Sequence, residues 1–316
     1  MQRLTENKII LITRKTRLDD LITRFNSVMQ AKFYVEHMGK DFNDYQTEHD
    51  LYYAAVDIAR QQLSTLGRVQ DVDRSLLPNF IFGKDDVAVA VGQDGLVANT
   101  MKYLTGQPLV GVNPDPARWD GVLLPFTAND LKLLLPEVFA KKRPMKDVSI
   151  GKAELNDGQI LLAVNDFYIG QRTHVSSRYV ITLGDRSETH SSSGIIVSTG
   201  LGASGWLKSV LAGAQGISSA IANKKTRDDK HALSVKDLTW GSDFLCFSVR
   251  EPFPSRSSQA GLVFGTVRNE QPLKVLSLMG ENGVIFSDGV EQDFLSFNSG
   301  IEATIKLAGH KGQLVV

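Results

Sequence analysis

The sequence lacks most of the features that would settle its class at once. It has one cysteine, Cys246, in 316 residues. That excludes an internal disulfide framework and any metal site built on several thiolates. It has no net charge, with 35 Lys and Arg against 35 Asp and Glu. Such a chain does not coat nucleic acid or an anionic membrane through bulk electrostatics, so neither is an expected partner. The balance says nothing about one small phosphorylated ligand, which feels only local charge. Long hydrophobic runs are missing too. The block Ile9-Ile10-Leu11-Ile12 is far shorter than the apolar region of a signal peptide, and no stretch approaches the ~20 residues of a membrane span. The cytoplasm is the expected location. There is no repeat and no low-complexity tract. Six histidines (His37, His49, His174, His190, His231, His310) show no paired zinc spacing, so surface or structural roles are expected and no metal ligand is assigned. Cys246, within Phe244-Leu245-Cys246-Phe247, reads as a buried, inert thiol.

What is present describes an ordinary folded protein of about two domains: 42% of residues are hydrophobic and 22% charged. Residues 1–145 alternate strand and helix signals. Ile9–Ile12 reads as a buried strand, followed by a polar turn over Thr13–Arg17. Leu18, Leu21, Ile22, Phe25, Val28 and Met29 recur at helical spacing, as do Tyr52, Val56, Ala59, Leu63 and Leu66, with Gly67 as a stop signal. Val87–Val91 is wholly apolar, which suits a central parallel strand buried on both faces. A glycine turn and a helical segment from Leu96 to Leu104 follow, then a strand at Leu109–Val112. Thr127-Ala128-Asn129-Asp130 has the form of a capping box opening a helix at Leu131. This half reads as a doubly wound, Rossmann-like α/β domain.

Residues 146–316 read as a β-rich sandwich domain, with the C-terminal tail free to pack back on the first domain. Val148–Leu155 and Gln159–Val164 flank Asn156-Asp157-Gly158, which is hairpin turn chemistry. Further strands are expected at Tyr179–Leu183, Ile195–Ser198, Phe244–Val249, Val275–Leu278 and Val284–Phe286. One helix, from Trp206 to about Ile221, interrupts them. The charge-dense Asn223–Lys230 stretch reads as a solvated loop.

Three places carry residues suited to chemistry. Gly92-Gln93-Asp94-Gly95 follows the Val87–Val91 strand and opens a helix. Ligands bind at the carboxyl ends of parallel strands, glycines let the backbone approach phosphate, and a helix N-terminus offers free N–H donors. An aspartate there can orient or deprotonate a hydroxyl; equally, it can simply cap a tight turn. Gly200-Leu201-Gly202-Ala203-Ser204-Gly205 spells G-x-G-x-x-G, but no strand ending in an acid follows about 20 residues on, so it is not the dinucleotide fingerprint. Trp206 stands where a nucleophile elbow needs glycine. It remains a glycine-rich ligand loop. Asn165-Asp166 ends the apolar run Leu161–Val164, where it either grips ribose hydroxyls or starts a turn.

Taken together, these segments resemble the NAD kinase family over nearly the whole chain. Gly92-Gln93-Asp94-Gly95-Leu96 lies where the family has GGDGT, and Asn165-Asp166 is similar to its Asn-Glu pair. Ser193 through Thr199, continuing across the glycine cluster to Trp206, resembles DGLIVSTPTGSTAY. Ser287-Asp288-Gly289 matches a late DG turn. Lys15-Thr16-Arg17, Gly111–Pro116 and Val249-Arg250-Glu251-Pro252 resemble the mitochondrial-type branch. The resemblance implies transfer of the ATP γ-phosphoryl group to the adenosine-ribose 2′-hydroxyl of NAD, with magnesium, by a homodimer or homotetramer. Asp94 would activate the hydroxyl. Gly92, Gly95, Arg14, Lys15 and Arg17 would meet the phosphates of ATP, while Asn165, Asp166, Thr199, Ser204, Gly205 and Trp206 would bind NAD.

The chain departs from the family pattern at several positions. Gln93 and Leu96 replace a glycine and a threonine, Ser193 an acidic residue, Leu201 a small polar one, and Asp166 a glutamate. A side chain at 93 is expected to obstruct the phosphate path or force an unfavourable φ. Two alternatives therefore stand beside the kinase: a non-catalytic nucleotide sensor of the same fold, and a lipid or small-alcohol kinase.

Overall fold

Ile9, Ile10, Leu11 and Ile12 have no exposed surface, and the neighbours of their strand explain why. In the computed structural model, which describes residues 5–221, 235 and 237–316, β1 (Lys8–Thr13) lies between two parallel partners, β2 (Arg68–Asp73) and β3 (Val87–Val91). β4 (Pro108–Val112) pairs in parallel on the far side of β3. Central strands of such a sheet are covered on both faces, which is why they are apolar without alternation.

The covering helices come from the connections. The spacing from Leu18 to Met29 predicts one helix, but the chain builds two. α1 (Arg17–Phe25) stops at Asn26, whose φ of 63° is left-handed, and the Ser27 side chain starts α2 (Val28–His37) by accepting from the Gln30 amide. Asparagine tolerates the left-handed end and serine caps the next start, so two polar residues override an unbroken apolar period. α3 (Phe42–Leu66) follows and ends at Gly67. α4 (Asp94–Met101) lies against β3 and β4. The Thr127–Asp130 capping box forms and leads into α5 (Leu131–Phe139). Tyr52, Val56, Ala59 and Leu63 of α3 and Leu131 and Leu135 of α5 pack on Ile9, Leu11, Val89 and Val91. The alternate residues Ile10, Ile12, Ala88 and Ala90 are equally buried.

The chain divides into two units, Met1–Lys146 with Gly312–Val316, and Asp147–Lys311. Within the first, Gln313 and Leu314 add a parallel strand end beside β4.

The second unit is a β-sandwich. β5 (Met145–Leu155) and β6 (Ile160–Ala163) form the hairpin, with Gly158 supplying a φ of +90° at its turn. β7 (Asp166–Gln171), β8 (Ser177–Leu183), β9 (Arg186–Ser192) and β10 (Ile195–Ser198) precede α6 (Trp206–Ile221). β11 (Leu245–Val249), β12 (Phe264–Val267), β13 (Leu273–Ser277), β14 (Gly283–Ser287), β15 (Val290–Ser296) and β16 (Glu302–Val315) complete it. One antiparallel sheet runs β12-β11-β10-β7-β14-β15; in the other, β16, β13, β8 and β9 are neighbours. Phe167, Ile195, Val197, Phe247 and Ile285 of the first interdigitate with Tyr179, Ile181, Val275 and Ile305 of the second. β7 and β9 escape sequence detection because the first begins with the polar site residue and the second is Arg-Ser-Glu-Thr-His-Ser-Ser. Cys246 is fully buried, and burial pushes its thiol up to about 11. Asn223–Lys230 and His231 lie outside the described residues. No helix among the described residues is long and apolar enough to cross a membrane.

Candidate functional site

In the first unit, the carboxyl ends of β1, β3 and β4 carry the candidate residues. Gly92 leaves β3 with its amide bonded to the Val112 carbonyl of β4. Gln93 then starts α4 through its carbonyl, which accepts from the amides of Leu96 and Val97. Gln93 has φ −117° and ψ 163°, extended backbone that any residue adopts. The expected backbone strain is therefore absent. Its side chain makes no capping bond, and neither does Asp94 cap the turn. Instead Asp94 Oδ1 accepts the Leu123 amide at 2.8 Å, which orients the carboxylate from a loop 29 residues away. Gly95 is exposed, and a Cβ there would meet nothing within 4 Å. A Cβ on Gly92 would come within 2.9 Å of Leu96 Cδ2, so leucine at 96 and glycine at 92 fit one another.

The three basic residues fare differently. Arg14 stands 3.6 Å from the place of a Gly92 Cβ, but its guanidinium is shared between Glu48 Oε1 at 3.1 Å and the Lys15 carbonyl at 2.8 Å. Its Nε is buried without a partner. Arg17 pairs with Glu48 and, at 2.9 Å, with Asp44. Asp44 in turn receives Arg118 at 2.6 Å, and these guanidiniums hold its carboxyl below the usual range. Two of the three expected phosphate contacts are thus already neutralised by acids of α3. Lys15 and Arg17 are both exposed, and Arg14 is half-buried.

In the second unit, Asn165, Asp166, Ser204, Gly205 and Trp206 line one pocket of about 340 Å³, together with Leu201, Gly202, Asp288 and Gly289. Chain segments nearly forty residues apart meet there because β7 and β10 are antiparallel neighbours, with Asp166 paired to Ser198. Gly202 permits the close approach: a Cβ on it would sit 2.1 Å from the Asn165 carbonyl oxygen. Thr199 does not line the pocket. It is buried, and its hydroxyl donates to the Val164 carbonyl at 2.5 Å, so it fastens the loop behind the site.

Asp288 is the residue that sequence reasoning passed over as a ligand-site element, although the DG turn marks it. Its backbone is left-handed, φ 55°, and its carboxylate collects the amides of Val164, Asn165 and Asp166 at 3.1, 2.6 and 3.3 Å. Burial, and after it the negative charge of Asp288, push the Asp166 carboxyl up to about 7. Near neutral pH this group both donates and accepts hydrogen bonds, which suits a pair of hydroxyls. Trp206 closes the pocket, stacked 9° from parallel on Tyr168 with ring centroids 6.0 Å apart.

No protein-family model and no curated protein matches this sequence. Solved structures do match. An NAD kinase from Archaeoglobus fulgidus, in complex with ATP, aligns over 98% of this chain and 93% of its own, with TM-score 0.55 at 15% identity. Yeast NADH kinase, complexed with NADH, aligns over 99% and 84%, with TM-score 0.56 at 12% identity. The chain has the fold of these NAD kinases.

Proposed function

We propose that the protein is an NAD kinase, transferring the γ-phosphoryl group of ATP to the 2′-hydroxyl of the adenosine ribose of NAD. The observation that carries this is the second unit's pocket, where an amide, a carboxyl with its ionisation near neutrality, a glycine turn and a stacked tryptophan converge on a space of ligand size. Asn165 and Asp166 hold ribose hydroxyls and Trp206 offers a flat face to a base. Asp94, fixed by the Leu123 amide, accepts the proton of the 2′-hydroxyl as its oxygen bonds to the γ-phosphorus. The bond to the bridging oxygen breaks in the same transfer and ADP leaves. The free amides at the start of α4 and the Lys15 ammonium meet phosphate.

Magnesium fits as a companion of the nucleotide rather than a resident of the protein. Among the described residues no cluster of three acidic, histidine or cysteine side chains can hold a metal, and Mg²⁺ is commonly held by one or two carboxylates and the substrate's phosphates. It would neutralise phosphate charge. The Gly111–Pro116 and Val249–Pro252 segments favour the mitochondrial-type branch.

The test is NADP formation from NAD, ATP and magnesium. Wild type is expected to turn over, and Asp94→Asn to lose about 10²–10⁴-fold in rate while NAD still raises the melting temperature. NAD binding with no NADP at high enzyme would replace the kinase by the nucleotide sensor.

A further inference from the structure

The second unit holds a further cavity, which shares only Trp206 with the ribose pocket. It measures about 930 Å³ and lies between α6 and the face of β11 that carries Cys246 and Ser248, away from the sandwich core. Its wall is largely hydrocarbon, from Leu211, Ala214 and Ile217 of α6 and from Val263 and Phe264 beside β11. Gly213 of α6 lines it too, and a Cβ there would meet nothing within 4 Å. The apolar groups are not packed away, since Ile217 is 63% exposed and Phe264 45%. Covering apolar surface is favourable at roughly 25 cal/mol per Å², and no part of a dinucleotide or a triphosphate has hydrocarbon of that extent.

One end of the cavity is charged. Arg250 and Glu251 line it, and the Arg250 guanidinium makes no hydrogen bond to any described residue. Its carboxylate neighbour, Glu251, is 3.7 Å away and 67% exposed. The guanidinium stands instead 5.5 Å from the centre of the Trp206 ring. Five donors in a planar fork, beside a hydrocarbon wall, match a carboxylate on an alkyl chain. Trp206 also lines the ribose pocket. A carboxylate that draws Arg250 off the indole therefore changes the environment of a group that the nucleotide site uses.

We propose that this cavity binds a free, single-chain fatty-acid anion, its chain between α6 and β11–β12 and its carboxylate on Arg250, and that occupancy is felt at Trp206. The site does not depend on the NAD kinase reading. The experiment is calorimetric titration of the full chain with monomeric dodecanoate and with dodecanol, accompanied by Trp206 emission in a variant carrying Trp119→Phe and Trp240→Phe.

One dodecanoate per chain is expected, with dodecanol about tenfold weaker for want of the charged hydrogen bonds. Arg250→Gln should bring dodecanoate down to the dodecanol level. Ala214→Trp, a cavity-filling change at an exposed helix position, should abolish both while the melting temperature holds. Saturating dodecanoate should shift the Trp206 emission. Equal binding of acid and alcohol, binding that survives Ala214→Trp, or no binding of either would overturn the site, and an unmoved emission would overturn the link to Trp206. Loss of a dimer in Ile217→Glu, without dodecanoate binding to wild type, would show that a second copy covers this face and overturn the proposal. Dodecanoate binding in a protein that never forms NADP would leave this inference standing and remove the kinase; the converse would do the opposite.

Discussion

The two units treat charge in opposite ways. At the carboxyl end of the first sheet, opposite charges interlock: Arg14, Glu48, Arg17, Asp44 and Arg118 form a chain of ion pairs in which each carboxylate serves two guanidiniums. In the second unit two carboxylates are brought together, and burial, with the charge of Asp288 after it, pushes Asp166 up to about 7. The first arrangement fixes backbone, holding the turn after β1 against α3. The second keeps a proton available where hydroxyls are expected. An ion-pair network fixes geometry, whereas a frustrated carboxyl pair keeps chemistry open.

Breaking the network should have the largest effect on stability. Glu48 is 5% exposed and joins Arg14 to Arg17, so Glu48→Gln leaves a partly buried guanidinium without its counter-charge. A loss of about 3 kcal/mol is expected, read as a lower denaturant midpoint. Glu48→Gln together with Arg14→Met should recover part of it, because the orphaned charge is then gone. Equal midpoints for wild type and Glu48→Gln would show that the network is solvated ornament.

The second unit yields an effect whose size depends on pH. A carboxyl raised from 3.8 to about 7 binds more protons folded than unfolded between those values, so stability falls as pH rises through that window. Asparagine cannot ionise. Asp166→Asn should therefore melt higher than wild type at pH 8 and melt alongside it near pH 4. A difference that is the same at both values would mean that the Asp166 carboxyl is not raised in the folded protein. NAD affinity in wild type should change between pH 6 and 8, and that dependence should vanish in Asp166→Asn.

This comparison also marks how far the sequence could be read. Val87–Val91, the turn after it, the Asn156–Gly158 hairpin and the helix from Trp206 to Ile221 are local patterns, and their residues specify them locally. The break at Asn26-Ser27 is local too, but apolar periodicity is blind to it. What could not be read is long-range. Nothing near Arg17 announces that Glu48 and Asp44, 31 and 27 residues on, will neutralise it. Nothing near Asp166 announces Asp288, 122 residues away. Thr199 has the residue type of a ligand contact, and only the fold shows its hydroxyl committed to the Val164 carbonyl.

Gln93 carries the least expected change in stability. Its extended backbone removes the case for strain, so glycine there relieves nothing in the folded state and adds freedom to the unfolded chain. Gly is nearly as good as the preferred caps at the start of a helix, so Gln93→Gly should alter the unfolding free energy by only a few tenths of a kcal/mol. Any gain must then come from the side chain alone. If the glutamine lies across the approach of phosphate to the α4 amides, the glycine variant should raise the rate of NADP formation and lower the KM for ATP, with NAD affinity, set in the other unit, unchanged. Unchanged rate and KM would mean that the side chain already turns away from the phosphate. A lower rate would make Gln93 a donor to that phosphate, a use of the position that the glycine of the family pattern cannot supply.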